Sequence, residues 1–196
     1  FTYDIEKSEL HLYDQFLDRY FPIACPEAGN DINFILHHKS AKNIVYLNRP
    51  VTVEEFALKT AERADPISLT PEIEKIIESI SGFIHEEYNL IKCLKKGILY
   101  HHGGIPDIIR LYIEDIYSKY SEFNFIVTTS TLLEGVNIPA DKIFLLSPKK
   151  GIDYLSPAQF KNLIGRVCRF KEVFNYEKGD LRMLEPEIYL VNGEYA

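Results

Sequence analysis

The sequence has few cysteines, fewer cationic than anionic side chains and no long hydrophobic run. No uninterrupted apolar stretch approaches the ~18 residues that a membrane-spanning helix needs, which excludes a transmembrane segment. Cys25, Cys93 and Cys168 are too widely spaced to predict a disulfide framework or a metal site, and this usage predicts a reducing, cytoplasmic setting. With 22 Lys and Arg against 29 Asp and Glu, the net charge is −7, which argues against a free-standing module that binds polyanions through a basic surface.

Apolar and aromatic side chains, by contrast, are plentiful enough to form a substantial core. Hydrophobic residues make up 46% of the 196 positions and aromatic residues 13%, which excludes global disorder. We predict a single domain over residues 1–196, with residues 1–40 as a linker and peripheral element, residues 25–31 as a loop, and residues 41–196 as the core. Because the chain begins at Phe1 and lacks a charged and apolar leader, we expect it to be a domain of a longer protein.

Short β-branched and aromatic runs alternate with segments of helical periodicity along most of the chain. This alternation predicts an α/β fold, in which a mostly parallel central sheet carries helices on both faces. Ligands of such sheets bind beyond the carboxyl ends of the strands. The predicted strands are 43–47, 97–100, 123–128, 142–146 and 187–191, and the predicted helices are 52–61, 70–94, 106–119 and 157–166.

Helix boundaries carry their own sequence signals. Thr52 is a predicted N-cap, as is Thr70, which precedes a proline and two glutamates. The apolar period after Thr70 predicts a helix that continues to Leu94, with a kink at Gly82, before Gly97 ends it.

A glycine loop, His101-His102-Gly103-Gly104, follows the second predicted strand and precedes a helix. Glycine lets the backbone approach a ligand closely, and a helix N-terminus favours anions such as phosphate. A sharp strand-to-helix turn would use the same residues, and the loop taken alone favours that structural interpretation. Adjacent histidines at a strand end point to opposite sides and no third ligand is evident, so we expect no metal site.

Four consecutive hydroxyl side chains, Thr128 to Thr131, follow the third predicted strand. Hydroxyls and backbone amides at the end of a strand suit nucleic-acid phosphates, which position a strand without reading its sequence. The alternative is that the hydroxyls cap the turn that follows them. Gly135 and Asn137 downstream favour the functional interpretation.

Arg166 and Arg169 lie three residues apart and share a face if the helix that starts at Pro157 continues through them. A guanidinium presents a planar fork of donors that matches phosphate oxygens and stays charged at all relevant pH values. The alternative is a solvated helix end, where cations compensate the helix dipole. Taken alone, the pair supports both interpretations equally.

Together and in this order, the segments resemble the second RecA-like domain of a superfamily 2 helicase, from the Ski-like or DEAD/DEAH-box-related branch. The resemblance covers roughly residues 41 to 170, and the motif V and motif VI segments as a pair are highly specific. Residues 43–49 resemble motif IV, residues 101–106 with Arg110 resemble the His-His-Ala-Gly-Leu-Pro…Arg segment, residues 128–140 resemble motif V, and residues 159–169 resemble motif VI.

The resemblance implies a three-layer RecA-like fold and the C-terminal lobe of an ATP-dependent DNA or RNA helicase or translocase. In that family, Arg166 and Arg169 match arginine fingers that contact the γ-phosphate of ATP held by the partner domain. The matching nucleotide-contact positions are Gly135, Asn137, Gln159 and Asn162. The matching nucleic-acid-contact positions are Asn48, Arg49, His102, Gly103, Gly104, Thr128, Thr129 and Ser130.

Two positions depart from the motif VI pattern. Cys168 stands where the family has glycine, and Asn162 stands where glutamine or histidine is common. Both departures keep the spacing of the two arginines. A small packed side chain is a better interpretation of Cys168 than a redox group, because no other cysteine lies nearby in sequence.

The 196 residues contain no Gly-Lys-Thr phosphate loop and no Asp-Glu-x-His or Asp-Glu-Ala-Asp run. We therefore expect ATP and Mg²⁺ to be held mainly by an N-terminal RecA-like domain of the same polypeptide, and this chain alone to be inactive. The alternative is a degenerate RecA-like lobe that binds nucleic acid or protein without an ATPase role, and the retained arginines argue against it. A stand-alone receiver or flavodoxin-like protein is disfavoured, because its acidic cluster or phosphate loop is missing. DNA is slightly favoured over RNA as the partner.

Overall fold

The computed structural model describes residues 2–4, 9–23, 30–85, 87–133, 138, 140–165 and 187–195. Its strands are β1 (Thr2–Asp4), β2 (Glu9–Asp14), β3 (Arg19–Ile23), β4 (Asn43–Tyr46), β5 (Ile98–His101), β6 (Phe125–Thr128), β7 (Lys142–Leu145), β8 (Lys149–Lys150), β9 (Asp153–Tyr154) and β10 (Glu187–Leu190). Its helices are α1 (Asp31–His38), α2 (Pro50–Arg63), α3 (Pro71–Phe83), α4 (Asn89–Leu94), α5 (Asp107–Lys119) and α6 (Pro157–Ile164).

The central sheet has five parallel strands in the order β10-β7-β4-β6-β5. Each strand begins and ends within two residues of its predicted bounds, because the runs that form them are rich in β-branched and aromatic residues. The predicted α/β fold with a parallel sheet is confirmed.

Helices cover both faces of this sheet. All four residues of β4, β5 and β6 are buried, although consecutive side chains of a strand point to opposite faces. The chain crosses from β4 past β6 to β5 and then returns to β6. Because such crossovers are right-handed, α2, α3 and α4 lie on one face and α5 lies on the other.

Helix α2 begins two residues earlier than predicted. Arg49 is its N-cap and Pro50 occupies the first helical position, where the fixed φ of proline suits a helix. The prediction of Thr52 as the N-cap was wrong: its hydroxyl lies inside the first turn and donates to the Arg49 carbonyl oxygen at 2.7 Å. The predicted apolar stripe, which includes Val53 and Phe56, is buried.

The helix predicted from Thr70 to Leu94 is two helices. Thr70 caps α3 as predicted, since its hydroxyl oxygen accepts from the Ile73 amide at 3.3 Å. At Ile84 the backbone becomes extended, with φ −120° and ψ 152°, and a separate helix α4 follows. Gly82, a weak helix former, precedes this break, so the disruption that the sequence placed there ends the helix instead of kinking it.

Strands β1, β2 and β3 form a separate antiparallel sheet in that order. The sequence predicted only a peripheral element here. The turn between β2 and β3 is set by Asp14, whose carboxylate accepts from the amides of Phe16 and Leu17 at 2.8 and 3.1 Å. The hydroxyl of Tyr13 donates to Asp18 across this turn at 2.7 Å.

The loop predicted over residues 25–31 ends one residue early. Asn30 is the N-cap of α1, and its side-chain oxygen accepts from the Ile32 amide at 3.0 Å. Asp31 therefore belongs to the helix, and its buried carboxylate accepts from the Glu194 amide at 3.0 Å. This contact ties the segment after β10 to α1. Residues 25–29 lie outside the described residues.

Within the described part of the chain, no helix has the length and apolar character needed to cross a membrane.

Candidate nucleic-acid interface

Three of the predicted segments meet at the carboxyl edge of the central sheet. Tyr46 of β4 and His101 of β5 both pair with Thr128 of β6, which lies between them. Parallel pairing therefore places the residues that follow these strands side by side. Asn48 and Arg49, the His102 to Gly104 loop, and the hydroxyls after β6 share this edge, as the sequence predicted.

The hydroxyl cluster after β6 is turned mostly into the protein. Thr128 is fully buried and Thr129 is 4% exposed. Both hydroxyls lie 3.4 Å from the hydroxyl of Thr131, and that of Thr128 also donates to the Thr129 carbonyl oxygen at 3.3 Å. Ser130 is partly exposed at the start of a 3-10 helix, Ser130–Leu133. The cluster thus stabilises its own turn: Ser130 and Thr131 are both partly exposed, but the Thr131 hydroxyl is engaged by Thr128, Thr129 and His101.

His101 is a fully buried imidazole at the end of β5. Its Nδ1 lies 3.2 Å from the Thr131 hydroxyl and 3.4 Å from that of Thr128, and its Nε2 faces a carboxylate oxygen of Glu114 at 3.5 Å. Burial lowers the pKa of His101 to about 3, and the nearby Arg110 adds to this effect. The imidazole is therefore neutral at physiological pH.

His102 determines the shape of the glycine loop. Its Nδ1 accepts from the Gly104 amide at 3.1 Å, so that nitrogen carries no proton. Its Nε2 must then carry the proton, and it donates to the Glu54 carboxylate at 2.9 Å. The ring stacks on Tyr100 at an interplanar angle of 9°, and its side chain is only 7% exposed. The imidazole is internal, and the exposed parts of this loop are Gly103 and Gly104.

A cavity of about 440 Å³ lies beside Asn48 and Arg49. Arg49 is exposed on its wall, and Lys149 contributes a second cationic residue. The cavity gathers residues that follow β4, β7 and β10, which are neighbours in the sheet. Ser147 and Lys149 were not among the residues predicted from the sequence, although both follow the predicted strand 142–146, and strand ends are where ligands bind.

Helix α6 carries two of the predicted nucleotide-contact residues. Gln159 forms a capping box with Ser156: its side-chain oxygen accepts from the Ser156 amide at 2.8 Å, and the Ser156 hydroxyl accepts from the Gln159 amide at 3.3 Å. Asn162 is exposed on the same helix. Gln159 thus fixes the start of α6, and its nucleotide contact stays a prediction.

Four predicted residues lie outside the described residues: Gly135, Asn137, Arg166 and Arg169. The predicted helix 157–166 is confirmed over its described part, because α6 spans 157–164. Among the described residues, no group of three or more potential metal ligands gathers in one place.

Residues 73–171, about half of the chain, match the family described as the helicase conserved C-terminal domain. This chain belongs to that family. Helicase POLQ-like of Drosophila melanogaster is 31% identical over 137 residues, which are 69% of this chain and 12% of that protein. Probable ATP-dependent helicase MJ1401 of Methanocaldococcus jannaschii is 32% identical over 146 residues, 66% of this chain and 18% of that protein.

ATP-dependent DNA helicase Hel308 of Thermoplasma volcanium is 26% identical over 146 residues, 71% of this chain and 21% of that protein. The chain thus spans about a fifth or less of the length of these relatives. The resemblance to the C-terminal lobe of a superfamily 2 helicase is confirmed, together with the α/β RecA-like fold of this helicase domain.

Proposed function

We propose that this helicase C-terminal domain is the second lobe of an ATP-dependent helicase or translocase, and that its carboxyl sheet edge holds the backbone of a nucleic-acid strand. The observation that carries the proposal is the position of three accessible groups along one edge, of which the first and third are exposed and the second is partly exposed. These are the Arg49 side chain after β4, the hydroxyl of Ser130 after β6, and the Gly103-Gly104 backbone after β5.

The chemistry of this edge suits phosphate better than bases. A guanidinium and a hydroxyl can both donate to phosphate oxygens, and glycines let a backbone amide approach them closely. Such contacts position a strand without reading its sequence, as a motor that moves along a strand requires. The net charge of −7 means that this lobe alone binds a strand weakly.

The ATPase role rests on Arg166 and Arg169, which we assign as arginine fingers. A transferring phosphoryl group spreads negative charge over its oxygens, and such a finger raises the rate by a factor of about 10³ to 10⁵. Gly135, Asn137, Gln159 and Asn162 lie near the nucleotide in this proposal.

ATP and Mg²⁺ belong mainly to an N-terminal RecA-like lobe of the same polypeptide. The missing phosphate loop in the sequence supports this division of the site. Closure of the two lobes then couples hydrolysis to movement along the strand.

DNA is the favoured strand. One relative is named an ATP-dependent DNA helicase and another is named DNA polymerase theta. Backbone contacts by themselves do not separate DNA from RNA, because the 2′-hydroxyl makes that distinction.

The test is strand-stimulated ATP hydrolysis by the complete protein, with single-stranded DNA and RNA of one sequence compared. We expect DNA to stimulate hydrolysis more, Arg166→Ala to lower kcat by about 10³-fold or more, and the isolated 196-residue chain to hydrolyse no ATP. Magnesium-dependent turnover by the isolated chain, or normal turnover by Arg166→Ala, contradicts the proposal. Strand binding by a complete protein without ATPase activity would support the degenerate-lobe alternative.

A further inference from the structure

His101 and His102 are adjacent, yet each contacts a glutamate from a different side of the sheet. His101 faces Glu114 of α5, and His102 donates to Glu54 of α2. Consecutive side chains at the end of a strand point to opposite faces, and α2 and α5 cover opposite faces here. One dipeptide therefore connects the end of β5 to a helix on each face.

On the α2 side, the hydrogen bond that His102 donates to Glu54 fixes the glycine loop. With Nε2–H directed at Glu54, Nδ1 is left as an acceptor for the Gly104 amide. A Cβ at position 104 would lie 3.1 Å from two atoms of this ring, so loop and imidazole are in close contact. The carboxylate sets the imidazole tautomer, and the tautomer sets the backbone of the exposed loop.

On the α5 side, Glu114 acts on the turn after β6. The neutral imidazole of His101 can direct Nε2–H at Glu114 and accept the Thr131 hydroxyl at Nδ1, 3.2 Å away. A Cβ at Gly103 would lie 3.7 Å from the Thr131 side chain, so the two loops are neighbours. The Nε2–H tautomer thus suits the neighbours of both histidines, one on each face of the sheet.

Packing alone does not explain these carboxylates. Glu114 is 3% exposed between Ile113 and other buried apolar residues of α5, where an aliphatic side chain would fill the space without a desolvation cost. Glu54 is 29% exposed and comes directly after the buried Val53. A carboxyl group as buried as that of Glu114 is expensive in free energy, and Glu54, although partly exposed, likewise faces an imidazole that carries a loop.

We propose that Glu54 and Glu114 are positioning residues for the nucleic-acid interface. Each acts through its histidine: Glu54 holds the Gly103-Gly104 backbone, and Glu114 holds the turn of Thr131. The inference rests on the proposed function, because the role it assigns is to keep the phosphate-binding groups of β5 and β6 in mutual register.

The experiment uses the complete protein. It measures the strand concentration that gives half-maximal stimulation of ATP hydrolysis, here called the strand constant, separately from kcat and from the Michaelis constant for ATP. Replacing Glu54 or Glu114 by leucine keeps the volume and removes the acceptor. We expect the strand constant to rise about tenfold, because Glu54→Leu removes the acceptor of the His102 hydrogen bond and Glu114→Leu removes the carboxyl group that faces Nε2 of His101, while the ATP constant stays within about twofold. Glu54→Gln and Glu114→Gln, which retain an acceptor oxygen, should restore most of the strand affinity. Glu62→Gln, an exposed position on α2, is the control.

A double-mutant cycle gives the sharper readout, and it remains available if a leucine variant does not fold. His102→Asn keeps an acceptor for the Gly104 amide but is too short to reach Glu54. Because Glu54 acts through His102, the double variant Glu54→Ala/His102→Asn should bind the strand no more weakly than His102→Asn alone, although Glu54→Ala by itself weakens binding. Independent, multiplying effects would overturn the inference, as would an unchanged strand constant in variants that melt like the wild type.

A measurement without activity separates this inference from the proposed function. Imidazole nitrogen chemical shifts report the tautomer directly, and we expect the Nε2–H form for both histidines. The Nδ1–H form at either histidine would overturn the inference even in an active helicase. Absence of strand-stimulated hydrolysis in the wild type would refute the proposed function, and the interface role with it, whatever the tautomers are.

Discussion

The side chain of Asn48 and the backbone of Gly151 are joined by two hydrogen bonds. Nδ2 donates to the Gly151 carbonyl oxygen at 2.7 Å, and Oδ1 accepts from the Gly151 amide at 2.9 Å. Gly151 has a φ of +69° in the turn between β8 and β9, and Asn48 follows β4. The amide thus holds the β8-β9 hairpin at the carboxyl edge, beside the cavity that Arg49 and Lys149 line.

Replacement of Asn48 by alanine removes both hydrogen bonds. We expect the domain to lose about 1 to 2 kcal/mol of stability. The strand concentration for half-maximal stimulation should rise, because Lys149 is no longer held beside Arg49. Urea unfolding and strand titration check the two effects. Asn48→Asp keeps the acceptor but loses the donor, so it should fall between alanine and the wild type. Equal behaviour of Asn48→Ala and the wild type would contradict this role.

Lys42 stabilises the end of α5 from a distant part of the chain. Its ammonium donates to the carbonyl oxygens of Tyr117, Tyr120 and Phe123 at 2.5, 2.6 and 2.7 Å. Burial lowers its pKa to about 8, so at neutral pH it still carries the three protons that these bonds need. We expect Lys42→Met to destabilise the domain by about 2 to 3 kcal/mol, since a helix C-terminus loses its cation and its donors.

Thermal unfolding of Lys42→Met measures this loss. Lys39→Met, at an exposed position three residues earlier, is the matched control and should change the melting temperature little. A similar effect of the two substitutions would show that Lys42 acts only as a surface charge.

Substitution by alanine should lower the stability of the domain at Gly97 and raise it at Gly82. Gly97 has a φ of +72°, and a Cβ there would lie 2.4 Å from the Glu122 carbonyl oxygen. Gly82 lies in α3 with nothing within 4 Å of an added Cβ. We expect Gly97→Ala to cost about 2 kcal/mol or more, and Gly82→Ala to add about 0.5 to 1 kcal/mol. Urea midpoints check both, and a stable Gly97→Ala would contradict the left-handed turn.

The strands and the shared edge could be predicted because they depend on local pattern. The run Asn43 to Leu47 is β-branched and aromatic, so its burial in a parallel sheet follows from its composition. Parallel strands end at one edge, which brings Asn48 and Thr128 together without knowledge of any side-chain contact. The alternation of side chains along a strand likewise predicts that His101 and His102 point to opposite faces of the sheet, as they do.

The contacts that hold the loops depend on tertiary packing and carry no local signal. Glu54 and Glu114 resemble any other helical glutamate in sequence, and only the meeting of their helices with β5 makes them partners of histidines. The break after Phe83 was missed because the apolar period continues beyond it. The β1-β2-β3 sheet was missed because polar residues interrupt β2, Pro22 lies within β3, and Asp14 sets the turn through side-chain bonds.

The buried His101 predicts a loss of stability in acid. In the folded state the pKa of His101 is about 3, against an ordinary value of 6.5 for the unfolded chain. Between these values the unfolded state binds a proton that the folded state does not, so stability falls as the pH drops below 6.5. One such group contributes a slope of up to about 1.4 kcal/mol per pH unit.

Urea unfolding of the wild type and of His101→Asn, at several pH values between about 7 and 4.5, isolates this contribution. Asparagine can still contact Thr131 but does not titrate, and every other ionisable side chain is common to both proteins. We expect the wild type to lose stability more steeply than the variant as the pH falls. Parallel curves would mean that His101 takes up a proton in the folded state, beside the carboxylate of Glu114.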